Sequence, residues 1–307
     1  MKRNHLWGAV IVAALCAGQA QAQAQELTGT LKKIKDTGAI SVGFRETSPP
    51  FSYLDDNHEA IGFAVDICYK IVDAVKKELK LDNLEIKLTP VQSTTRIPLI
   101  ANGTIDLECA STTNNADRQR LVSFTNSHFL TASRFISKKA SKLNSIDDLK
   151  GKTVASVSGT TNIKQLNEAN TARHLDINIV AAKDNAEAFL MVETDRAAAY
   201  VMDDILLFGD AAGSKDPGAY VISKDAFSKP EPYGIMLRKD DAPFKKVVDD
   251  ATAALYQSPE GAKLYDKWFM QAIPPKGLNL NVPMSAEQTR LFAKPSDSPE
   301  PDAYVVN

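Results

Sequence analysis

Residues 62–80 read GFAVDICYKIVDAVKKELK, and their spacing decides the class of fold. Apolar side chains recur at Ala64, Ile67, Cys68, Ile71, Val72, Val75 and Leu79, three and four residues apart, which gathers them on one face of a helix. Residues 40–44 before this helix and 84–91 after it are short runs that suit strands, and a turn with Pro49 and Pro50 follows the first. Residues 96–102 then suit a short helix stopped by Gly103, and 105–107 a short buried strand. Strands alternating with helices in this way predict a mostly parallel sheet, because parallel neighbours need a crossover and a helix supplies it.

The same rhythm starts again near residue 135. Ser145 is placed to cap a short helix over 146–150 that Gly151 stops, and 153–157 suits a strand. The turn Ser158-Gly159-Thr160-Thr161 opens a helix running to about residue 169. A strand over 177–180, a helix over 185–193 with Phe189 and Val192 facing inward, and a strand over 197–202 ending at Asp203 complete the second unit. Residues 233–237 suit a strand that returns the chain to the first unit, followed by amphipathic helices over 244–255 and 261–269. The expected architecture is α/β and two-lobed, each lobe a mostly parallel sheet flanked by helices. Residues 25–134 and 234–293 form one lobe and 135–233 the other, with the two crossings as a hinge. Beyond residue 294, Pro295, Pro299 and Pro301 among acids and serines predict a flexible tail.

Composition narrows the function classes. The chain has 307 residues, 44% hydrophobic and 24% charged, which excludes disorder and fibrous designs. Its formal charge of -2 gives no general attraction to nucleic acid or to an anionic membrane. The N-terminus carries Lys2 and Arg3, then an apolar run over 6–16 that is too short to span a bilayer, then Ala20, Ala22 and Ala24 alternating with Gln. That is the pattern of a signal peptide over residues 1–24, cleaved after Ala22 or Ala24. Leu15 before Cys16 argues against lipidation, and no later stretch is long and apolar enough to span a membrane. The mature protein is expected to be soluble outside the inner membrane. There Cys68 and Cys109 either form a disulfide or remain two separate buried thiols. Two distant cysteines and four histidines give no metal-ligand cluster, so neither a metal nor a cofactor is expected.

In open α/β sheets ligands bind beyond the carboxyl ends of the strands. Arg45 follows the first strand; Ser93 and Arg96 follow the second; Ser111, Thr113 and Arg118 follow the third. In the second unit Thr160 and Thr161 open a helix, Asn185 follows the next strand, and Asp203 ends the one after. Guanidinium groups bind carboxylates with paired hydrogen bonds, an aspartate suits an ammonium, and a helix start offers free N–H donors to an anion. The set therefore suits a ligand with two carboxylates and one ammonium. Taken singly, each residue also has an ordinary role: Arg118 in a polar turn, Asp203 as a helix cap, Arg45 in a loop ion pair with Glu46.

Several motifs then carry a resemblance: GFRETSPPFSY at 43–53, RIPL at 96–99, NGT at 102–104, ECASTTNN at 108–115, SGTT at 158–161, MDD at 202–204 and KWF at 267–269. Over residues 30–293 the sequence resembles the polar amino-acid class of periplasmic solute-binding proteins, in particular the glutamate/aspartate binders of ABC importers. The resemblance implies the two-lobed periplasmic binding protein fold, a monomer, L-glutamate or L-aspartate as ligand, and the permease subunits of an ABC transporter as partner. It also implies roles. Arg118 with Thr113 would hold the α-carboxylate, and Asp203 with Ser111 the ammonium; Arg45, Arg96 and Ser93 would read the side-chain carboxylate, and Thr160 and Thr161 would donate from the second lobe. One departure concerns Asn185, which stands where such binders carry a histidine; an amide can donate but cannot become cationic.

A competing class is an enzyme on the same scaffold, such as a periplasmic cyclohexadienyl dehydratase. The strand-end residues suit charge pairing and include no Cys-His or Ser-His-Asp set, so no catalytic residue is assigned. His58, His128 and His174 fall in expected loops or helix ends and are expected at the surface. A receptor ectodomain would need a membrane span after residue 24, which the sequence does not offer.

Overall fold

A computed structural model describes residues 26–305, and the expected signal peptide over 1–24 lies outside the described residues. The helix that opened the sequence reading spans Phe63–Glu78. Its predicted apolar face is buried at Ala64, Ile67, Cys68, Ile71, Val72 and Val75, and Leu79 is buried just past its end. Each large side chain on that face contributes about 1.5–3 kcal/mol by leaving water.

This helix packs on a five-stranded sheet in the order Glu85–Pro90, Ala39–Phe44, Leu107–Cys109, Met236–Arg238, Val122–Phe124. The first three strands are parallel and the last two join antiparallel. The second sheet repeats the scheme: Asn178–Ala182, Thr153–Val157 and Ala199–Asp203 are parallel, and Ser133–Lys138 and Tyr220–Ile222 join antiparallel. Two lobes of one architecture result. They are linked where Phe129–Thr131 leads out of the first lobe and Glu231–Tyr233 leads back, paired antiparallel as a two-strand hinge. The carboxyl ends of the parallel strands of both sheets face each other across the cleft, which puts their loops in one place.

Behind the hinge sits an aromatic cluster. Phe51 meets Phe129, Tyr233 and Phe269 edge-on, with ring centroids 5.1, 5.3 and 5.6 Å apart. His128 lies among these rings, 6.0 Å from Phe51 and from Phe63, and is wholly buried. The expectation that it is a surface residue is therefore corrected. His128 immediately precedes the hinge strand, and its N–H bonds Tyr233 O at 2.8 Å, so the hinge pairing itself draws the side chain inward. His58 and His174 are exposed.

Cys68, on the helix, is joined by a disulfide to Cys109, at the end of the third parallel strand, with Cα atoms 6.1 Å apart. Closing a loop with a sequence separation of 41 constrains the unfolded chain by about 4 kcal/mol in the chain-entropy account. The bridge anchors the loop that carries Ser111 and Thr113.

Several boundaries differ from expectation for identifiable reasons. The strand expected over 105–107 lies at Leu107–Cys109, because the Asp106 carboxylate accepts from Ser41 N at 2.9 Å and closes the ladder there. The return strand expected over 233–237 is two strands, Glu231–Tyr233 and Met236–Arg238, since the chain changes sheets between them. At that switch Gly234 lies against Phe124, where an added Cβ would come within 3.0 Å of the ring. The short helix after Ser145 is a 3-10 turn, Ile146–Leu149, held by a Ser145–Asp148 capping box.

Of the segment expected to be flexible, residues 294–305 lie against the first lobe. Asn114 and Gln119 side-chain amides donate to Asp297 O, each at 2.9 Å, Lys245 pairs with the Asp297 carboxylate at 2.8 Å, and Tyr304 is buried. A proline-rich segment cannot build a ladder of its own, but its carbonyls can still accept from side chains.

Candidate functional site

The strand ends named above, Asn185 excepted, converge on one small cavity between the lobes. From the first lobe, Arg45, Ser93, Arg96, Ser111, Thr113 and Arg118 line it. The second lobe adds Thr160, Thr161, Asn162, Met202 and Asp203. Of the residues predicted from the sequence, only Asn185 stands outside this lining.

The first-lobe wall is cationic and buried. Arg45 is 3% exposed, Arg96 2% and Arg118 8%. Arg45 leaves the first strand and donates from Nη1 to Ser93 Oγ at 2.7 Å, while its Nη2 has no hydrogen-bond partner among the described residues. Arg96 starts the helix Arg96–Ala101, donates to Thr112 Oγ1 and faces Glu108 at 3.6 Å; Thr112 in turn donates to Glu108 at 2.7 Å. Arg118 sits on a helical turn, Ala116–Gln119, capped by Asn115, and its Nη1 donates to Thr113 O at 2.7 Å. Burial, and then the neighbouring Arg96 charge, bring Arg45 and Arg118 down to about 10, so both stay cationic at neutral pH. Buried cations of this density call for anionic partners.

The second-lobe wall offers the complement. Thr160 caps the helix Thr161–Ala172: its hydroxyl accepts from Ile163 N and donates to Val157 O at 2.7 Å. That hydroxyl is therefore used within the lobe, and the helix N-terminus presents its free amides to the cavity. Gly159, at φ +75°, lets this turn approach the first lobe; a Cβ there would lie 3.0 Å from the Ser93 backbone. Asp203 ends its strand and precedes a helix, Asp204–Gly213, yet its side chain does not cap it. Its carboxylate instead accepts from Asn162 Nδ2 at 2.8 Å and from the Tyr233 hydroxyl of the hinge. Burial raises the Asp203 pKa, and those two hydrogen bonds pull it back.

Asn185 has another environment. It begins the helix Asn185–Glu193, donates to Ser48 Oγ of the first lobe at 3.3 Å, and accepts from the Tyr200 hydroxyl at 3.1 Å. It ties the lobes together behind the cavity wall. Further ties are Arg118 Nη2 to Gly159 O at 3.4 Å and the Thr113 and Thr161 hydroxyls at 3.4 Å.

Four polar residues of the site escape the sequence reading: Glu108, Thr112, Asn162 and Glu231. Glu108 lies within the buried strand Leu107–Cys109, and an acid between buried neighbours was a usable signal. Glu231, flanked by Pro230 and Pro232, offered no periodicity. It is on the hinge strand, 3.4 Å from both Thr113 Oγ1 and Thr161 Oγ1, and accepts from Gln165. Burial, then the nearby Asp203, pushes Glu231 up to about 7. Among the described residues no His, Cys, Asp and Glu cluster could hold a metal ion, and no helix is long and apolar enough to cross a membrane.

Known proteins match this chain along nearly its full length. It is 50% identical to the L-glutamate/L-aspartate-binding protein of Pseudomonas aeruginosa, over 95% of this chain and 96% of that one. It is 44% identical to the glutamate/aspartate import solute-binding protein of Escherichia coli, over 94% and 96% of the two chains. Among solved structures, an ancestral arginine-binding protein bound to arginine superposes with a TM-score of 0.68 at 25% identity, covering 76% of this chain and 98% of that one. Residues 40–271 match the family described as bacterial extracellular solute-binding proteins, family 3, and the chain belongs to that family.

Proposed function

We propose that this protein captures L-glutamate or L-aspartate between its lobes and delivers it to the permease subunits of an ABC importer. The observation that carries the proposal is the cavity itself, with three buried guanidinium groups on one wall and a buried aspartate on the other. A dicarboxylic amino acid presents two carboxylates and one ammonium, which matches that division. The names of the Pseudomonas and Escherichia relatives support the same ligand class and, for the latter, import.

In this reading Arg118 and Thr113 take the α-carboxylate, and Asp203 with Ser111 takes the ammonium. Arg45, Arg96 and Ser93 take the side-chain carboxylate. Thr160 contributes its place at the helix start rather than its hydroxyl, and Thr161 adds a hydroxyl and an amide. Asn185 steadies the closed arrangement through Ser48. The ligand docks first on the cationic wall, residues 135–233 then close over it about the hinge, and its contacts to both lobes stabilise the closed form. The working protein is a monomer beginning after signal-peptide cleavage near Ala22 or Ala24, outside the inner membrane.

An enzyme on this scaffold would need an acid or base poised over the substrate. The relatives above are named for binding and import, and the cavity groups pair charges, so binding is the reading retained.

The test is calorimetry on the mature protein, refolded to remove carried-over ligand, with L-glutamate, L-aspartate, L-glutamine and L-arginine. Both acids should bind tightly and glutamine at least about a hundredfold more weakly, since an amide leaves a buried guanidinium without its anion, a loss of about 3–5 kcal/mol. Preference for glutamine or arginine would overturn the ligand assignment.

A further inference from the structure

Glu231 is placed to do more than line the hinge. Its strand, Glu231–Tyr233, joins the lobes, and its carboxylate touches both: Thr113 in the first, Thr161 and Gln165 in the second. Those two threonines are the hydroxyls that the proposed binding mode turns toward the ligand's carboxylate. An ionised Glu231 is an acceptor only, so it draws the hydroxyl protons of Thr113 and Thr161 to itself and away from the ligand. A protonated Glu231 reverses this: it donates to a threonine oxygen and frees the threonine proton to face the ligand.

The charge balance of the cavity points the same way. Arg45, Arg96 and Arg118 supply three positive charges; Glu108, Asp203 and Glu231, when ionised, supply three negative ones. A glutamate or aspartate ligand brings one further net negative charge into a space shut off from water. Glu108 accepts from Thr112 and faces Arg96, and Asp203 accepts from Asn162 and Tyr233, so each already has partners of its own. Glu231 is the acid whose surroundings accept either form. The charged and titratable groups around it are Asp203 at the end of its strand, with Asp204 beside it, Arg118 on its helical turn, and Tyr233 on the hinge strand.

Resting on the ligand class proposed above, we propose that Glu231 takes up one proton from solvent when the lobes close on an acidic amino acid, so that ligand capture and proton capture are linked. The proton adds to a carboxylate oxygen, no other bond changes, and it returns to solvent on release. With the lobes parted Glu231 regains water and the ordinary carboxylate range of about 4.3; enclosed, it sits at about 7. Between those values the bound form holds one proton more than the free form, so affinity falls as pH rises, by up to about tenfold per unit.

The experiment is glutamate calorimetry on the refolded mature protein between pH 6 and 8, in phosphate and in Tris, whose ionisation enthalpies differ. The wild-type heat should depend on the buffer, with an uptake near one proton per ligand at the acid end. Glu231→Gln should abolish both the buffer dependence and the slope of Kd with pH. Buffer-independent heats in a wild type that binds glutamate would overturn the inference and leave the ligand assignment standing. Wild-type failure to bind either acid would instead overturn the ligand assignment. Uptake persisting in Glu231→Gln would move the proton to another group and also overturn the inference. Should that variant not fold, Gln165→Leu removes the amide that favours the ionised carboxylate and should move the uptake profile to higher pH; an unmoved profile overturns the proposal.

Discussion

The two lobes share one sheet order and present opposite chemistry to the cleft. In the first, the ends of three parallel strands lead to Arg45, Arg96 and Arg118; in the second, the equivalent ends lead to a helix N-terminus, Asn185 and Asp203. The framework is the same because alternating apolar strands and helices have few ways to pack. The loops beyond the strands carry no part of either core and are free to differ. In the proposed binding mode that difference separates charge: the guanidinium groups of the first lobe would take the carboxylates, and Asp203 of the second the ammonium.

Breaking the cationic wall should have the largest effect. Arg118→Ala should remove binding of every amino acid, a loss of about 3–5 kcal/mol, or more than a hundredfold in calorimetry. If glutamate affinity stays within tenfold of the parent, the first lobe is not the docking wall. Arg45→Met is the sharper probe of side-chain recognition, because Arg45 Nη2 has no hydrogen-bond partner among the described residues, whereas removing Arg96 also strips Glu108 of its ion pair. Arg45→Met should weaken glutamate by about 1.5–3 kcal/mol and narrow its advantage over glutamine.

On the opposite wall, Asp203→Asn should weaken binding by about 1.5–3 kcal/mol and leave the ligand-bound protein more open by small-angle scattering. Unchanged closure would confine the second lobe to covering the ligand rather than gripping it.

The apolar base behind the first lobe has a pH signature of its own. Burial holds His128 down at about 3, against about 6.5 in the unfolded chain. Between these values the unfolded chain binds more protons, so this residue's contribution is complete above about pH 6.5 and is lost at about 1.4 kcal/mol per unit as pH falls. His128→Phe should flatten that part of the urea-midpoint profile; an equal slope in both proteins would show that carboxylates alone cause it.

Asn185→Ala should have the smallest effect. Losing the Ser48 contact should shift the open–closed balance by about 0.5–1.5 kcal/mol, with the order of ligands preserved. A changed ranking of glutamate against aspartate would place Asn185 in the ligand's own contacts.

Much of this molecule is legible before folding. The helix over 62–80 announces itself because burial on one face imposes a local period, and the strand-end arginines are found because parallel topology fixes where loops must lie. The rest depends on partners distant in sequence. Glu231 is a site residue only because the hinge brings it to Thr113, 118 positions away. Asn185 leaves the cavity lining because Tyr200 and Ser48 satisfy its amide, and Thr160 spends its hydroxyl on a cap. The segment after residue 294 has the composition of a free tail, yet Asn114, Gln119 and Lys245 hold it in place.

The sequence by itself determined the two α/β units, the apolar faces and the signs of charge at the strand ends, all of which follow from periodicity and residue type within short windows. Only the tertiary structure decided which polar groups are already satisfied and which remain to meet a ligand. A hydrogen bond or an ion pair depends on a few ångströms of separation, and that separation is set by the packing of the whole chain.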